Sequence, residues 1–580
     1  MHSNELLLQH AYDFLTAKEY RHNFSALERE VLKPFFTSVD GRVYFIHSLP
    51  ETVTDVLLSM FSRIKNPRGL RGVFVDSFLP LFLASTLPEV DTHFDGNTEK
   101  FISTHKLSSL EQFAQFSKEA WVALKRFKKS IHVDPDYITE FSSTPKVQKF
   151  LGMYLDRYGH NSIARMAKLS LCLENISCLA EKSLEWSRMG IGYVALSTRY
   201  VDMSGKDSYP IEKELAWYGV NPRLIQSVTQ ASFDYYRILQ GEKFSGLFPD
   251  FLRTQYRSHA TEKLFENGVI GETCDVLGNF LPCSTLTSLG IALSGEAFAG
   301  LLGHLLLDPT PENLALAELI LTEAKKLGGD QFSHHFKPTE WKKSSWEYLS
   351  PWSFGFFPPI CGLRESGLTH NILPQDEYVK RVLYSGFRRQ SETFSQFSLD
   401  FNTIIEILKK IPRGEFDKLP NHFEKITAVF SGIMSFRSWR DLQRQQLCTH
   451  YRTYVTPYFG FYKYDKPAPK EFFEACTDMW QKNYELYKEM KAKGVPPILM
   501  QYPLAMGNIV GFEIAGNLAE KEFCIWQRSK FSVNHEVRRM FLQIERTLRE
   551  YYPWWSSVSR ADTTPAYVFA RTERGIPLVP

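Results

Sequence analysis

Apolar residues along this chain follow two rhythms. From Ala167 to Leu173 they fall at every second position (Ala167, Leu169, Leu171, Leu173), the period of a strand with one buried face. From Glu174 onward the spacing becomes helical, so residues 165–190 predict a strand feeding a helix, with "STRY" (197–200) just beyond that helix. The switch recurs over 422–457, where alternation at Ile426, Ala428 and Phe430 gives way to helical spacing through Ile433, Phe436 and Leu442. Apolar residues at i, i+3 and i+4 predict helices over 51–66 and 110–130, and long helical stretches follow over 312–329 and 535–553.

Two strand–helix units, each followed downstream by a long helix, predict an old internal duplication. Between them, residues 344–378 are rich in Pro, Gly and aromatics without a clean period, which predicts a linker. The expected organisation is an N-terminal extension over 1–45, a first repeat over 46–335, a linker over 336–380 and a second repeat over 381–580. The expected fold class is α+β: two tandem repeats, each a small antiparallel sheet packed with long helices.

Composition narrows the function classes. A chain of 580 residues exceeds what one core supports, and its 43% hydrophobic and 23% charged content is that of a globular protein. Lys and Arg total 68 against 65 Asp and Glu, so no overall field favours a nucleic acid or a membrane surface, and an anionic partner must be bound locally. The first residues lack a signal-type apolar segment. The richest apolar run, "VFVDSFLPLFLASTLPEV", is broken by Asp76 and two prolines and is too short to span a bilayer. A cytoplasmic protein with reduced thiols is expected, since its eight cysteines include no CxxC pair. No metal site is expected, because the adjacent pair His334-His335 would point in different directions on a helix.

There is no GxSxG, HExxH, Walker loop or helix-opening GxGxxG. What remains is arginine and hydroxyl chemistry. Ser197, Thr198, Arg199 and Tyr200 set two hydroxyls, a bidentate guanidinium and a phenol side by side, a combination able to cradle a phosphate or carboxylate. A capped turn with Arg199 in water is the alternative.

The surroundings of that run carry a resemblance. "YGHNS" (158–162), the alternating strand, the helix and "STRY" resemble the flavin-dependent thymidylate synthases, the ThyX family, which combine a GHxS segment with a long motif ending in an arginine–tyrosine pair. "FRSWRDLQRQQ" (436–446), "GNLAEKEFCIWQRSKFSVNHEVRR" (516–539) and "LPETVTDVLLSMFSRIKNPRGLR" (49–71) resemble further blocks of the family, in its long tandem-repeat branch. The resemblance implies FAD, reduced by NADPH, and transfer of a one-carbon unit from methylenetetrahydrofolate to dUMP. It also implies a homodimer, because the single-repeat family is tetrameric with sites shared between subunits. By position, Ser197, Thr198, Arg199 and Tyr200 match the nucleotide-binding end of the long motif, and Arg528 matches the arginine that polarises the pyrimidine. Asn517 matches an asparagine facing the flavin, His160 and Ser162 the GHxS segment, Ser62 the serine of ARxS, and Arg444 the first arginine of RHR. FAD is expected in a cleft lined by His160, Ser162, Arg444 and Asn517.

The chain also departs from the family pattern. RHR is Arg444-Gln445-Gln446 in the second half and Ser187-Arg188-Met189 in the first, and the NE pair is Val194-Ala195. A phosphate-binding arginine would align with Gly278, and a second arginine of the C-terminal helix with Ala519. Two readings follow: an enzyme whose halves build composite sites, each supplying what the other lacks, or a ThyX-like nucleotide- or flavin-binding or scaffolding protein without catalysis.

Overall fold

A computed structural model describes residues 4–17, 23–131, 165–185, 190–199, 201–256, 262–327, 368–394, 400–445, 447–569 and 577. The strand–helix switch is present in both halves, but each strand runs further than the alternation suggested. Strand β2, with its neighbour β1 at Val43–Ile46, spans Lys168–Ser177, and its helix begins at Cys178 rather than Glu174. The register between β2 and its partner shifts between Leu173 and Ile176, and Asn175 takes a left-handed φ of 53° there. This bulge breaks the two-residue period and hides the end of the strand. The helix start is set by Ser177, whose Oγ accepts from the Ala180 amide.

The second unit repeats the device. Its strand (β6, Thr427–Ser435) passes through Ile433, and the helix Phe436–Leu442 starts only after Ser435 accepts from the Ser438 amide. The predicted helix 110–130 is likewise two helices, Leu110–Phe116 and Lys118–Ser130, because Ser117 is extended (φ −148°, ψ 166°) and caps the second. A further strand lies between the first unit's helix and "STRY": β3, Ile191–Ala195, an edge strand. The run therefore leaves a strand, not a helix.

The architecture is α+β with two four-stranded antiparallel sheets. The first has the order β1-β2-β4-β3, where β4 is Leu286–Ser294. The second is built from β5 (Leu368–Ile372), β6, β7 (Thr449–Arg452) and β8 (Ile509–Asn517) in the order β5-β6-β8-β7. Both thus place their second and fourth strands at the centre. β5 falls within the stretch read as a linker; residues 328–367, including His334 and His335, lie outside the described residues.

Strand alternation assigns the faces of the first sheet. Val43, Phe45, Leu171 and Leu173 enter the large core with Leu289 and Ile291, while Tyr44, Ile46 and Cys172 enter a smaller one with Phe61, Phe74 and Phe101. The large core continues into the second half through Leu504, Met506, Phe512 and Ile514. Backbone bonds join the halves directly. Residues 279–284 and 502–507 run antiparallel, with Cys283 N–H donating to Leu504 O at 2.8 Å, Met506 N–H to Leu281 O at 2.8 Å and Gly507 N–H to Asn279 O at 2.7 Å. Each segment leads into a central strand of its own sheet, so the halves are joined at the approaches to β4 and β8.

Candidate functional site

Two short helices meet where the halves join. The first, Cys178–Leu184, is anchored at its start by Ser177, whose amide and hydroxyl donate to Glu312 at 2.9 and 2.6 Å. The second, Phe436–Leu442, is anchored in the same way: Ser435 amide and hydroxyl donate to Glu536 at 2.9 and 2.6 Å. Their charged faces oppose each other. Arg440 is hydrogen-bonded to Glu181, while Arg444 stands 3.9 Å from Glu181 and 3.6 Å from Glu185. Lys182 lies 3.2 Å from Glu181 and is bonded to Glu185.

Arg199 reaches the same cluster from the turn after β3. Its Nε and Nη2 grip Asp275 at 2.8 and 3.0 Å, and its Nη1 lies 3.2 Å from Asp441. This differs from both expectations for the run. The fork is not left in water: its bidentate partner is a buried carboxylate of the same half. Ser197 Oγ turns back to accept from the Arg199 amide at 3.2 Å, so the hydroxyls and the fork do not converge on one point. Thr198 is buried and offers its carbonyl, not its hydroxyl, to the cluster.

That carbonyl is held by an arginine of the other half. Arg437 Nη2 donates to Thr198 O at 3.3 Å and Cys274 O at 2.9 Å, and stands 3.5 Å from Asp275. It can enter because position 278 is glycine: a Cβ there would lie 2.2 Å from Arg437 Nε. Position 278, where the resemblance would place an arginine, is thus the one against which a second-half arginine packs. Arg528 completes the set. Its Nη2 lies 3.4 Å from Asp441 O, and Gln445, with its amide oxygen turned toward it, accepts from Arg528 Nε and Nη2 at 2.8 and 2.9 Å.

The described cluster holds six cations (Lys182, Arg199, Arg437, Arg440, Arg444, Arg528) and four carboxylates (Glu181, Glu185, Asp275, Asp441), an excess of two positive charges. Burial disfavours every charge here, yet the carboxylates respond differently. Burial lifts Asp275 above the usual range despite Arg199 and Arg437. Asp441 is equally desolvated, but Arg199, Arg444, Arg528 and Arg437 together hold it well below that range. Glu185 is pushed up by burial, whereas Arg440, Lys182 and Arg444 outweigh burial at Glu181 and bring it down to about 2. Carboxyls with pKa values driven apart in one cluster are the pattern from which proton-handling sites are built.

Of the other residues singled out in the sequence, Ser62 lies beside this turn: its carbonyl accepts from the Ser197 amide at 3.2 Å. Arg444 is part of the cluster. Asn517 is not brought to it, because its Oδ1 caps the helix Leu518–Ser529 through the Glu520 amide at 2.8 Å. Arg528, eleven residues on, is at the opposite end, roughly 16 Å along the axis. His160, Ser162 and Tyr200 lie outside the described residues. The sequence reading missed Asp275, Arg437 and Arg440, while Asp441 is a residue it offered as an alternative partner for Arg444. The arginines had a legible signal, since 437, 440 and 444 recur at helical spacing along one face, whereas Asp275 has none.

A second feature adjoins the run on its other side. A cleft of about 480 Å³ is lined by Lys65, Asn66, Asn175, Asp202, Lys206 and Ser288 among others. Its floor is fixed by Glu174, which accepts from Tyr44 Oη at 2.9 Å, the Leu70 amide at 2.8 Å and Arg71 Nη2 at 2.9 Å.

His450, whose Nε2 lies 2.9 Å from Gln445 O, makes the cluster's neighbourhood sensitive to acid. Burial, with help from Lys521, pushes its pKa down to about 4. A histidine depressed in the fold keeps its full stability above the unfolded pKa of roughly 6.5 and loses it as the pH falls toward 4. Urea titrations at roughly pH 7 and roughly pH 5 should show a lower midpoint in acid, and His450→Gln should shrink the difference. An unchanged difference would assign the effect to other groups, His47 and His422 first among them.

Residues 104–327, which include β2, β3, β4 and the Arg199 turn, match the family model described as thymidylate synthase complementing protein. Over a longer span the chain is 23% identical to a UPF0159 protein of Thermoplasma acidophilum, across 76% of this chain and 94% of the relative. It is 22% identical to a UPF0159 protein of Chlamydia muridarum, across 92% of this chain and 94% of the relative. A UPF0159 protein of Chlamydia pneumoniae is also 22% identical, across 83% and 85%. Residues 104–327 thus match the model of the thymidylate synthase complementing protein family, in a chain that is similar along most of its length to UPF0159 proteins.

Proposed function

We propose that the protein is a flavin-dependent thymidylate synthase whose anion-binding groups are divided between two related halves. The observation that carries this reading is Arg437, a second-half residue packed against Gly278 beside the first-half Arg199. The charge missing from the first half is supplied by the second, as a composite site requires. The repeated strand order and the matched anchoring of Ser177 by Glu312 and Ser435 by Glu536 support a tandem origin of those halves.

FAD suits the donor set at one point. Arg444 Nε is buried without a hydrogen-bond partner, and its nearest carboxylates stand 3.6 to 4.0 Å away, so the guanidinium has a donor to spare for a flavin phosphate. When bound, FAD reduced by NADPH would supply the hydride for one-carbon transfer from methylenetetrahydrofolate to dUMP. In this reading the chain binds and orients. Arg199 and Arg437 neutralise the nucleotide phosphate, Arg528 favours charge developing on the pyrimidine, and the excess of two positive charges in the cluster suits a dianion. Arg444→Ala should weaken FAD binding about tenfold, the loss of one charge-assisted bond. Unchanged affinity by flavin fluorescence quenching would remove Arg444 from the site.

A specific observation favours a second reading. Both edges of Arg199 already hold carboxylates, the arrangement expected of a ThyX-like scaffold in which internal acids have replaced the substrate anion. Rescue of a thymidine-requiring bacterium that lacks its own thymidylate synthase separates the two. The enzyme restores growth, and the scaffold, though folded and expressed, does not.

A further inference from the structure

Beyond Gln445, on the side away from Arg528, two thiols and a carboxylate meet. Cys524 and Glu520 are one turn apart on the helix Leu518–Ser529 and share a face, while Cys448 arrives from the turn that enters β7. One donor atom from each lies within 4.8 Å of the other two, and all three residues are buried. Cys524 Sγ and Glu520 Oε1 are 3.5 Å apart. A tetrahedral zinc ion, with bonds of roughly 2.3 Å to sulfur and roughly 2.0 Å to oxygen, sets a sulfur–oxygen edge of about 3.5 Å.

The walls around these groups suit such an ion. β8 has a glycine where Cys448 sits: a Cβ on Gly516 would lie 2.9 Å from the sulfur and 3.6 Å from Lys521 Nζ. Lys521 is buried there and donates to Ile514 O at 3.0 Å. Lys418 holds the second oxygen of Glu520 at 2.6 Å, which orients Oε1 toward the sulfurs. With the Gln445 oxygen turned to Arg528, its amide nitrogen faces Cys524 Sγ at 3.2 Å, the N–H to sulfur contact that outer groups give a metal-bound thiolate.

We propose that Cys448, Cys524 and Glu520 bind one zinc-class divalent cation through two thiolate sulfurs and one carboxylate oxygen. On binding, two metal–sulfur bonds and one metal–oxygen bond form, and the two thiol protons leave to solvent. Two thiolates and a carboxylate bring three negative charges, which the ion and Lys521 balance. The ion ties the entry of β7 to the helix bearing Arg528, with Gln445 bridging the metal site and that arginine. The inference is independent of the proposed catalysis.

The test uses the full chain, stripped by a chelator under anaerobic conditions and reloaded with zinc or cobalt(II). The expected result is one ion retained per chain after gel filtration, and a thiolate-to-cobalt charge-transfer band in the near ultraviolet. Cys448→Ser and Cys524→Ser should each lose half or more of that band, Glu520→Gln should weaken retention at least tenfold, and Cys476→Ser, remote from the cluster, should change neither. Should a serine variant fail to fold, the wild-type cobalt spectrum still decides, because two-thiolate tetrahedral coordination gives intense visible bands. A folded wild type that takes up neither ion overturns the site. So does a band left undiminished by Cys524→Ser, or a Cys448–Cys524 disulfide found by mass spectrometry in metal-free protein, which would make the pair a redox couple.

Discussion

Arg71→Met should lower the stability of the first half by about 3–5 kcal/mol, the cost of leaving a buried carboxylate without its cation. Arg71 is fully buried, pairs with Glu174 at 2.9 Å, donates to Ser38 O at 2.9 Å and stacks on Tyr44 with its guanidinium carbon 4.0 Å from the ring centre. Methionine fills much of the same volume, so the loss reports charge and hydrogen bonding more than a cavity. Against a typical total of about 5–15 kcal/mol, a change of that size leaves a marginal fold. Adding Glu174→Gln should recover much of it, since glutamine keeps an oxygen for the Leu70 amide without a charge to neutralise. Urea unfolding of both variants checks this. An equal loss in the double variant would mean that packing, not the unpaired carboxylate, sets the cost.

Arg528→Ala has the largest effect expected on the proposed reaction, a fall in kcat of about 10²–10³-fold, the usual cost of removing one preorganised donor from a developing charge. Arg528 is suited to that role by its restraint. Gln445 and the Asp441 carbonyl fix its guanidinium, and burial draws its pKa down from the arginine norm while Asp441 supports the charge. Arg528→Lys keeps a cation but not the two-pronged bond to Gln445, so it should recover only part of the rate. The readout is dTMP formation by the purified, flavin-loaded protein. Equal rates for wild type and Arg528→Ala would place Arg528 among groups that only support the fold.

How far the sequence revealed this molecule depended on the range of the forces involved. The two strand–helix units were legible because alternate and helical spacing follow from local backbone geometry. Their joints were not: Asn175 hides a bulge within β2, and Ser177 and Ser435 set the helix starts through single hydroxyl bonds. β3 escaped notice because "GIGYVA" is short and glycine-rich, and it is held in place by pairing with β4. The arginines of the candidate site were visible as residue types at helical spacing, and Arg199, Arg444 and Arg528 do gather. The partner of Arg199 was invisible, since Asp275 is 76 residues away and only the fold brings them together. Asn517 illustrates the opposite hazard, because the residue type that can face a flavin is also among the best helix caps.

In the proposed function the halves form one cationic site for a nucleotide phosphate, with Arg199 and Arg437 contributed from opposite halves. Arg199 grips Asp275 and is also assigned to the nucleotide phosphate, so Arg199→Lys should lower stability and nucleotide affinity together, by roughly 1.5–3 kcal/mol for each lost charge-assisted bond. Arg437→Lys makes the same test from the second half. Calorimetric titration of dUMP into the flavin-loaded protein measures this most directly. The expected result is saturable binding by the wild type, weakened tenfold or more in both lysine variants while each remains folded by circular dichroism. No dUMP binding by the folded wild type, or equal affinity in the Arg437 variant, would contradict a site shared between the halves.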